Sequence, residues 1–470
     1  IEGIALKKPG YPADVAGPIL WPLTERLRGR DTMRRVEQLT HSQNWPAKHL
    51  RDLQQHKLHR VLRSAARHCP FYAQRFRDAG LDVDDPQLSL ADLKRLPPIT
   101  RADIREHHAA MTWHECPGGA RPYQTGGSTG EPLQFYIDRF RASADAAARW
   151  RARGYWGVRP GDPEILLWGA PFELTRNDRL RRWRDGLLNQ YLLNAFDMTA
   201  ANMDDYLAHI RSLRPACLYG YPSSLALLAR HAASRGMQPG NLGSDRLRAV
   251  FVTGEVLLEQ DREIIAAMFG KPVVVEYGSR DGGFTAMACP SGQLHIADEN
   301  LIIELLDPAG QQVAPGEIGE ITLTHLDAFA MPLVRYRIGD LARLADPGTS
   351  CPCGRAHAVL TEVHGRVTDH IVCRQGSTVR RMHALSLIYV LREAEGLAQF
   401  RVTQPSMDRL DVEVVPDARF TTRQEQLVEN RLRQRMGDNV TIRIHRRDHI
   451  PPTASGKHAC VVSKVVENDE

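Results

Sequence analysis

The 470-residue chain has no apolar run near the roughly 18 residues that a membrane-crossing helix needs, so no membrane partner is expected. Its opening, Ile1 to Gly10, lacks a basic stretch followed by an apolar one, which argues against a secretory leader and for a cytoplasmic protein. Cysteine is sparse: eight residues, mostly scattered as reduced thiols of a cytosol would be, which excludes a disulfide-built scaffold. A surplus of one charge is missing too. The 61 Lys and Arg interleave with 56 Asp and Glu for a net charge of +5, which gives no basis for nucleic-acid binding. Arg181, Arg182 and Arg184 around Trp183 read as a solvated helix face. There is no internal repeat and no low-complexity tract. What remains is an ordinary composition, 42% hydrophobic and 25% charged, with length for roughly two to four domains.

The first hundred residues carry helical periodicity: Leu50, Leu53, Leu58, Val61, Leu62 and Ala65 form one stripe. Leu96 to Thr100 reads as a turn that caps a further helix. From about Tyr123, short apolar runs (Leu133–Ile137, Ile165–Trp168, Ala216–Tyr219, Ala249–Thr253, Val273–Glu276) alternate with helices such as Ser223–Ala233 and Glu259–Met268. This is the pattern of an α/β domain with a largely parallel sheet. Leu301–Leu306, Glu320–Thr324 and Asp340–Ala345 read as antiparallel hairpins. Past Gly365 the strands Asp369–Val372, Phe400–Thr403, Leu410–Val415 and Thr441–His445, with helices near Met382–Ala394 and Thr422–Met436, make a small α+β domain. The expected division is therefore 1–364 and 365–470.

Five loops carry candidate chemistry. The first is Thr125-Gly126-Gly127-Ser128-Thr129-Gly130, whose glycines allow close backbone approach and whose hydroxyls and amides can wrap a phosphate chain. It lacks the Lys of a Walker loop, and a plain flexible turn meets the same description. The second, Glu276-Tyr277-Gly278-Ser279-Arg280-Asp281, follows an apolar strand, where ligands of open α/β sheets bind; its ring can stack on a base and Asp281 can hold Mg²⁺. Its bland alternative is a strand end with a tight turn. The third, Arg335 to Asp340, offers an acid for ribose hydroxyls, or is a solvated hairpin with a surface ion pair. The fourth is Gly365-Arg366-Val367-Thr368-Asp369. The fifth, Pro452 to Lys457, delivers one Lys on a Gly-bearing loop, or is an exposed tail.

Cys351 and Cys353 flank Pro352, and Cys289 lies six positions before His295. Three Cys and one His make a closed tetrahedral zinc set, structural in kind, with His357 as a spare. A pair of reduced thiols, or a strained disulfide across one residue, are the alternatives. Trp168, Phe172, Tyr219 and Tyr221 follow strand ends and line an acyl pocket or simply pack. Cys217 reads as core, and His107 and His108 as a surface helix turn.

In order and spacing the five loops resemble the adenylate-forming superfamily. The form of the first loop, the shortened helical start and the Cys-Pro-Cys-Gly-Arg insert are most similar to the phenylacetate–CoA ligase family, in the branch often found with capsular polysaccharide genes. The resemblance implies a large N-terminal adenylation domain and a mobile C-terminal lid. It implies ATP-dependent activation of a carboxylic acid to an acyl-adenylate, then transfer to coenzyme A or another thiol. Residue by residue, it implies that Thr125 to Gly130 close on the β- and γ-phosphates. Tyr277 and Gly278 hold adenine opposite Gly254 and Glu255, Ser279 also binds the nucleotide, and Asp340 and Arg366 hold the ribose. Asp281 stands where Glu usually helps bind Mg²⁺. The hinge is at Asp369, and Lys457 bridges the carboxylate and the α-phosphate. A structural zinc on Cys289, His295, Cys351 and Cys353 is implied in the same way. A non-thiol acceptor, or AMP transfer to a cofactor, remains an alternative. So does a nucleotide-binding protein that has lost catalysis, which only the Asp at 281 favours. The acid and the oligomeric state are not readable; a homodimer is one option.

Overall fold

The computed structural model describes residues 12–125, 133–168, 185–195, 198–366, 370–375, 378–383, 385–437, 440–451 and 461–465. Among these, no helix is long and apolar enough to cross a membrane.

A short hairpin, β1 (Arg121–Gln124) and β2 (Gln134–Ile137), carries the glycine loop at its tip. Then comes a large sheet of β3 (Glu164–Trp168), β4 (Gln190–Asn194), β5 (Cys217–Gly220), β6 (Ala249–Val252), β7 (Val273–Ser279), β8 (Gly283–Ala288), β9 (Leu294–Ile296), β10 (Leu301–Leu306), β11 (Ile318–His325), β12 (Tyr336–Leu344) and β13 (Val359–Arg366). Its order is β10-β11-β12-β13-β9-β8-β7-β6-β5-β3-β4. The β4-β3-β5-β6-β7 block is parallel, and from β7 onward every pairing is antiparallel. Residues of β5 and β6 are buried throughout, as strands covered on both faces must be.

Helices cover both faces. Ala200–Leu213, Pro222–Ser234 and Glu259–Phe269 pack on one side of the parallel block, with Leu207, Leu225, Ile265 and Phe269 in that core. Helix Arg139–Gly154 lies on the other side, where Ala147, Ala148 and Trp150 meet Trp21 and Leu39 of the N-terminal helices. Helix Ala47–His68 buries Leu50, Leu58, Val61, Leu62 and Ala65 of the stripe expected from periodicity, the last four against the antiparallel half, while Leu53 of that stripe is only half-buried. Thr100 caps helix Arg101–Glu106 in a capping box with Asp103.

Beyond β13 stand a hairpin, β14 (His370–Gln375) with β15 (Thr378–His383), and a sheet of β16 (Leu397–Ser406), β17 (Arg409–Pro416), β18 (Thr441–Arg446) and β19 (Val461–Ser463), ordered β18-β17-β16-β19. Helices Leu385–Arg392 and Thr422–Met436 pack on them around Leu387, Val412, Val428 and Leu432. This is the small α+β unit expected, with one correction. Met382 lies in β15 and not in a helix, because the polar run from Thr378 pairs with β14 and the helix starts only at Leu385.

Candidate functional site

The C-terminal ends of the parallel strands gather five of the sequence-predicted residues into one wall. Tyr221 caps helix Pro222–Ser234 directly after β5, and its ring stacks on Trp168 of β3 with centroids 4.2 Å apart. Tyr219 is tilted against the same Trp168 at 5.6 Å. Gly254, just after β6, has φ +81°, and a Cβ built there would lie 3.1 Å from the Tyr221 ring, so a side chain would be strained by the backbone and would crowd that ring. Glu255 accepts a hydrogen bond from the Ser223 N–H at 3.2 Å, a carboxylate set against a helix N-terminus.

The second group forms around β7 and β12. The Tyr277 hydroxyl donates to Asp340 Oδ2 at 2.8 Å. Asp340 stands opposite Arg366 in the β12–β13 register, next to a bulge and to Gly339 at φ +86°. Of the expected adenine and ribose residues, Tyr277 and Asp340 are thus in contact and the Arg366 backbone is in register with Asp340. Gly278 is dictated by space, since a Cβ would lie 2.6 Å from the Gly283 carbonyl oxygen. Ser279 Oγ accepts from the Gly282 N–H at 2.8 Å and closes the turn.

Asp281 has a different setting from the one expected. It is 2% exposed, and its Oδ2 accepts from the Tyr336 hydroxyl at 2.7 Å and from Arg101 Nη2 at 3.0 Å. Its carbonyl is bonded by the buried Arg141. Burial raises the pKa of this carboxyl, but Arg101, Tyr336 and Ser279 outweigh it and hold it below the usual value. A carboxylate already neutralised and buried in this way does not fit a magnesium ligand. In this geometry Asp281 ties β7 to β12 and to helix Arg101–Glu106.

The third loop corrects its bland reading as well. Arg335 is 2% exposed at φ +52°, and its fork takes both oxygens of Glu304 at 3.0 and 2.9 Å, an internal pair and not a surface one. Of the glycine loop, Thr125 is described: its N–H and Oγ1 both bond Leu133, each at 2.9 Å, so the hairpin closes at the base of the loop. The Arg280 guanidinium lies 5.5 Å from the Tyr123 ring and brings the second loop beside the stem of the first. Gly126, Gly127, Ser128, Thr129, Gly130, Asp369 and Lys457 lie outside the described residues, as do Phe172 and Arg181 to Arg184. Of Arg366 only the backbone is described.

Cys289, His295, Cys351 and Cys353 do come together, with all four donor atoms within 4.8 Å of one another. Cys289 Sγ is 3.7 Å from Cys351 Sγ, and Cys353 Sγ is 3.2 Å from His295 Nε2. The other ring nitrogen, His295 Nδ1, lies 3.3 Å from the His357 carbonyl oxygen, which leaves Nε2 to face the sulfurs. Burial lowers the His295 pKa to about 4, so the ring is neutral, as a ligand must be. The set fits zinc and has no open position. The spare candidate is corrected: the His357 side chain turns to Glu299 at 3.0 Å and not to the sulfurs.

Arg101, Arg141 and Arg149 carry no signal in the sequence that separates them from surface arginines. Only the tertiary fold brings them to Asp281 and Glu276.

The family model described as CapK C-terminal domain matches residues 372–464. Phenylacetate-coenzyme A ligase of Thermus thermophilus is 27% identical over 345 residues, covering 70% of this chain and 73% of that protein. Protein CapK of Staphylococcus aureus is 23% identical over 419 residues, covering 88% and 89%. A crystal structure of 2-hydroxyisobutyryl-CoA ligase in the postadenylation state, in complex with 2-HIB-AMP, aligns with a TM-score of 0.69 at 22% identity, covering 90% of this chain and 91% of that one. The same ligase with 2-HIB-AMP and CoA in the thioesterification state aligns at 0.58 and 23%, covering 90% and 91%. The resemblance read from the five loops is borne out: the chain is similar along most of its length to phenylacetate–CoA ligases and CapK, and it has the fold of adenylate-forming CoA ligases.

Proposed function

We propose that this chain is an AMP-forming acid–thiol ligase, which activates a carboxylic acid with ATP, releases pyrophosphate and passes the acyl group to coenzyme A or another thiol. The observation that carries the reading is the meeting of Tyr277 and Asp340 at the end of the parallel block, with Arg366 in register beside them. An aromatic ring and an acid that meet at strand ends of an α/β sheet suit an adenosine. The names of the relatives, phenylacetate-coenzyme A ligase among them, support the same chemistry.

In this reading Thr125 to Gly130 surround the β- and γ-phosphates with backbone N–H groups and hydroxyls. Gly254, Glu255, Gly278 and Ser279 bound the adenine, and Tyr219 and Tyr221 bound the acid. Lys457 lies against the carboxylate and α-phosphate, where negative charge grows as they join, and stabilises it electrostatically. The chain divides near residue 364, and rotation about Asp369 withdraws Lys457 and admits the thiol. Mg²⁺ with ATP supplies further charge neutralisation at the phosphates. Cys289, His295, Cys351 and Cys353 would hold a structural zinc, which would tie the residue after β8 to β9 and to the 351–357 loop. One observation favours a second reading, a nucleotide-binding protein without ligase activity: the carboxylate expected at the metal is occupied by Arg101 and Tyr336.

Pyrophosphate release from ATP and Mg²⁺, across aryl, short-chain, long-chain and amino acids with and without coenzyme A, tests the proposal. Release raised by coenzyme A establishes the ligase. Release indifferent to it moves the acceptor to a carrier protein, an amine or a hydroxyl. ATP binding with no release from any acid supports the second reading.

A further inference from the structure

The wall described above ends on a cation for which the proposed chemistry has no use. Helix Arg139–Gly154 carries Arg149, Arg151 and Arg153. Arg151 and Arg153 show 2% and 3% of their side chains and are spent on Glu299 and Glu164. Arg149 keeps 40% of its side chain exposed. The groups around it are themselves buried: its Nε donates to Glu276 Oε1 at 3.0 Å, and its guanidinium carbon lies 5.9 Å from the Tyr219 ring and 5.8 Å from the Phe284 ring. The exposed part of the Arg149 side chain therefore emerges from among buried groups. Tyr219 links Arg149 to the Trp168, Tyr221 and Gly254 wall, and Glu276 immediately precedes Tyr277 of the adenosine group.

We infer that Arg149 is a specificity-determining residue of the acid subsite, and that the acid bound there carries a hydroxyl group within reach of its guanidinium. The inference rests on the ligase reading. Charge and hydrogen-bond balance set the class. Glu276 cancels the charge of Arg149, so a second carboxylate on the substrate meets no net positive site. A bare hydrocarbon tail would cover the outward N–H groups and leave them unpaired, which a binding site penalises strongly. A neutral oxygen accepts from those N–H groups without adding charge. A hydroxyl is the smallest group that brings such an oxygen; Glu276 Oε2, buried and without a hydrogen-bond partner among the described residues, is closed to it. The Tyr219 hydroxyl donates to the other oxygen, Oε1, at 2.9 Å and fixes the carboxylate plane.

The test compares kcat/KM for pyrophosphate release with matched acids: butyric, the 2-, 3- and 4-hydroxybutyric and succinic acids, and phenylacetic acid with its ring-hydroxylated and ring-carboxylated counterparts. The wild-type enzyme should favour one hydroxylated acid over its unsubstituted partner by at least about tenfold. Arg149→Met alone leaves the Glu276 carboxylate buried without its cation, so the variant to use is Arg149→Met with Glu276→Gln, in which Tyr219 keeps an acceptor. It should reduce the preference to within about twofold, a ratio that a general loss of activity would not move. Arg149→Lys retains the pair with Glu276 but not the planar fork; it should lower the ratio severalfold, and it decides the matter if the double variant does not fold. A wild-type preference for unsubstituted or dicarboxylic acids, or a hydroxyl preference that survives these variants, overturns the inference and leaves the ligase reading standing. Release with no acid at all overturns both.

Discussion

Replacing Asp281 by Asn separates an architectural role from a metal-binding one. Asn keeps the shape and an acceptor for the Tyr336 hydroxyl, but it removes the negative charge that faces Arg101. Losing one member of a fully buried pair costs about 3–5 kcal/mol. The Arg101 side chain is 28% exposed, so water screens part of the interaction, and a loss of about 2–3 kcal/mol is the expected scale. At about 2–4 °C per kcal/mol for domains of 150–250 residues, and less for larger ones, calorimetry should show the midpoint falling by several degrees. The pH dependence follows from the depressed pKa. The contribution of Asp281 is complete above the unfolded-state value of about 4 and disappears as pH falls through the lower folded-state value, so wild type and variant should converge in acid. The companion assay is a Mg²⁺ titration of pyrophosphate release, in which the half-saturating concentration should change by less than about twofold. An unchanged midpoint with a Mg²⁺ requirement raised tenfold would refute the architectural reading and return Asp281 to the metal.

Lys457→Ala should lower acyl-adenylate formation by about 10²–10³ and spare thiol transfer from a supplied acyl-adenylate; equal loss in both half-reactions would refute the lid assignment. Asp327 is paired with Lys57 at 2.6 Å and Arg35 at 2.9 Å; burial opposes ionisation, yet these cations hold its pKa down at about 2. Asp327→Asn should cost about 2–3 kcal/mol in denaturant unfolding at pH 7, and the difference should vanish as pH falls from 4 through 2. Metal analysis should find one zinc per chain, lost in Cys353→Ser and retained in His357→Ala; well under one zinc in the wild type removes the site.

What was legible in the sequence had a physical reason to be. β5 and β6 are buried at every position, so they read as short apolar runs, and the helices that follow them, Pro222–Ser234 and Glu259–Phe269, end within a residue of where the periodicity does. The Cys/His set was legible across 58 residues between His295 and Cys353 because few side chains serve zinc and because they came in two tight clusters. β1 was not legible: Arg-Pro-Tyr-Gln is exposed along its length and is a strand only because β2 pairs with it. β15 was partly misread for the same reason, since a polar run takes its structure from its partner and not from its own pattern.

The site shows a further limit on sequence reading. The Arg335 to Asp340 run could be read as one acid waiting for a ribose, with the rest as hairpin. In the fold it is a cross-brace. Arg335 sits at φ +52°, an unfavourable region for a side-chain-bearing residue, and is held there by its N–H to Thr324 Oγ1 at 3.0 Å and by its fork on Glu304. From that fixed start β12 sends the Tyr336 hydroxyl to Asp281 and presents Asp340 to Tyr277, so one strand grips both ends of the second loop. The sequence puts these two pairs 55 and 63 positions apart, and no local pattern links them. Their contact is a property of the β7–β8 and β11–β12 pairings, which set where each loop ends. Residue types told where a nucleotide would bind; strand register decides which of those residues remain available to it.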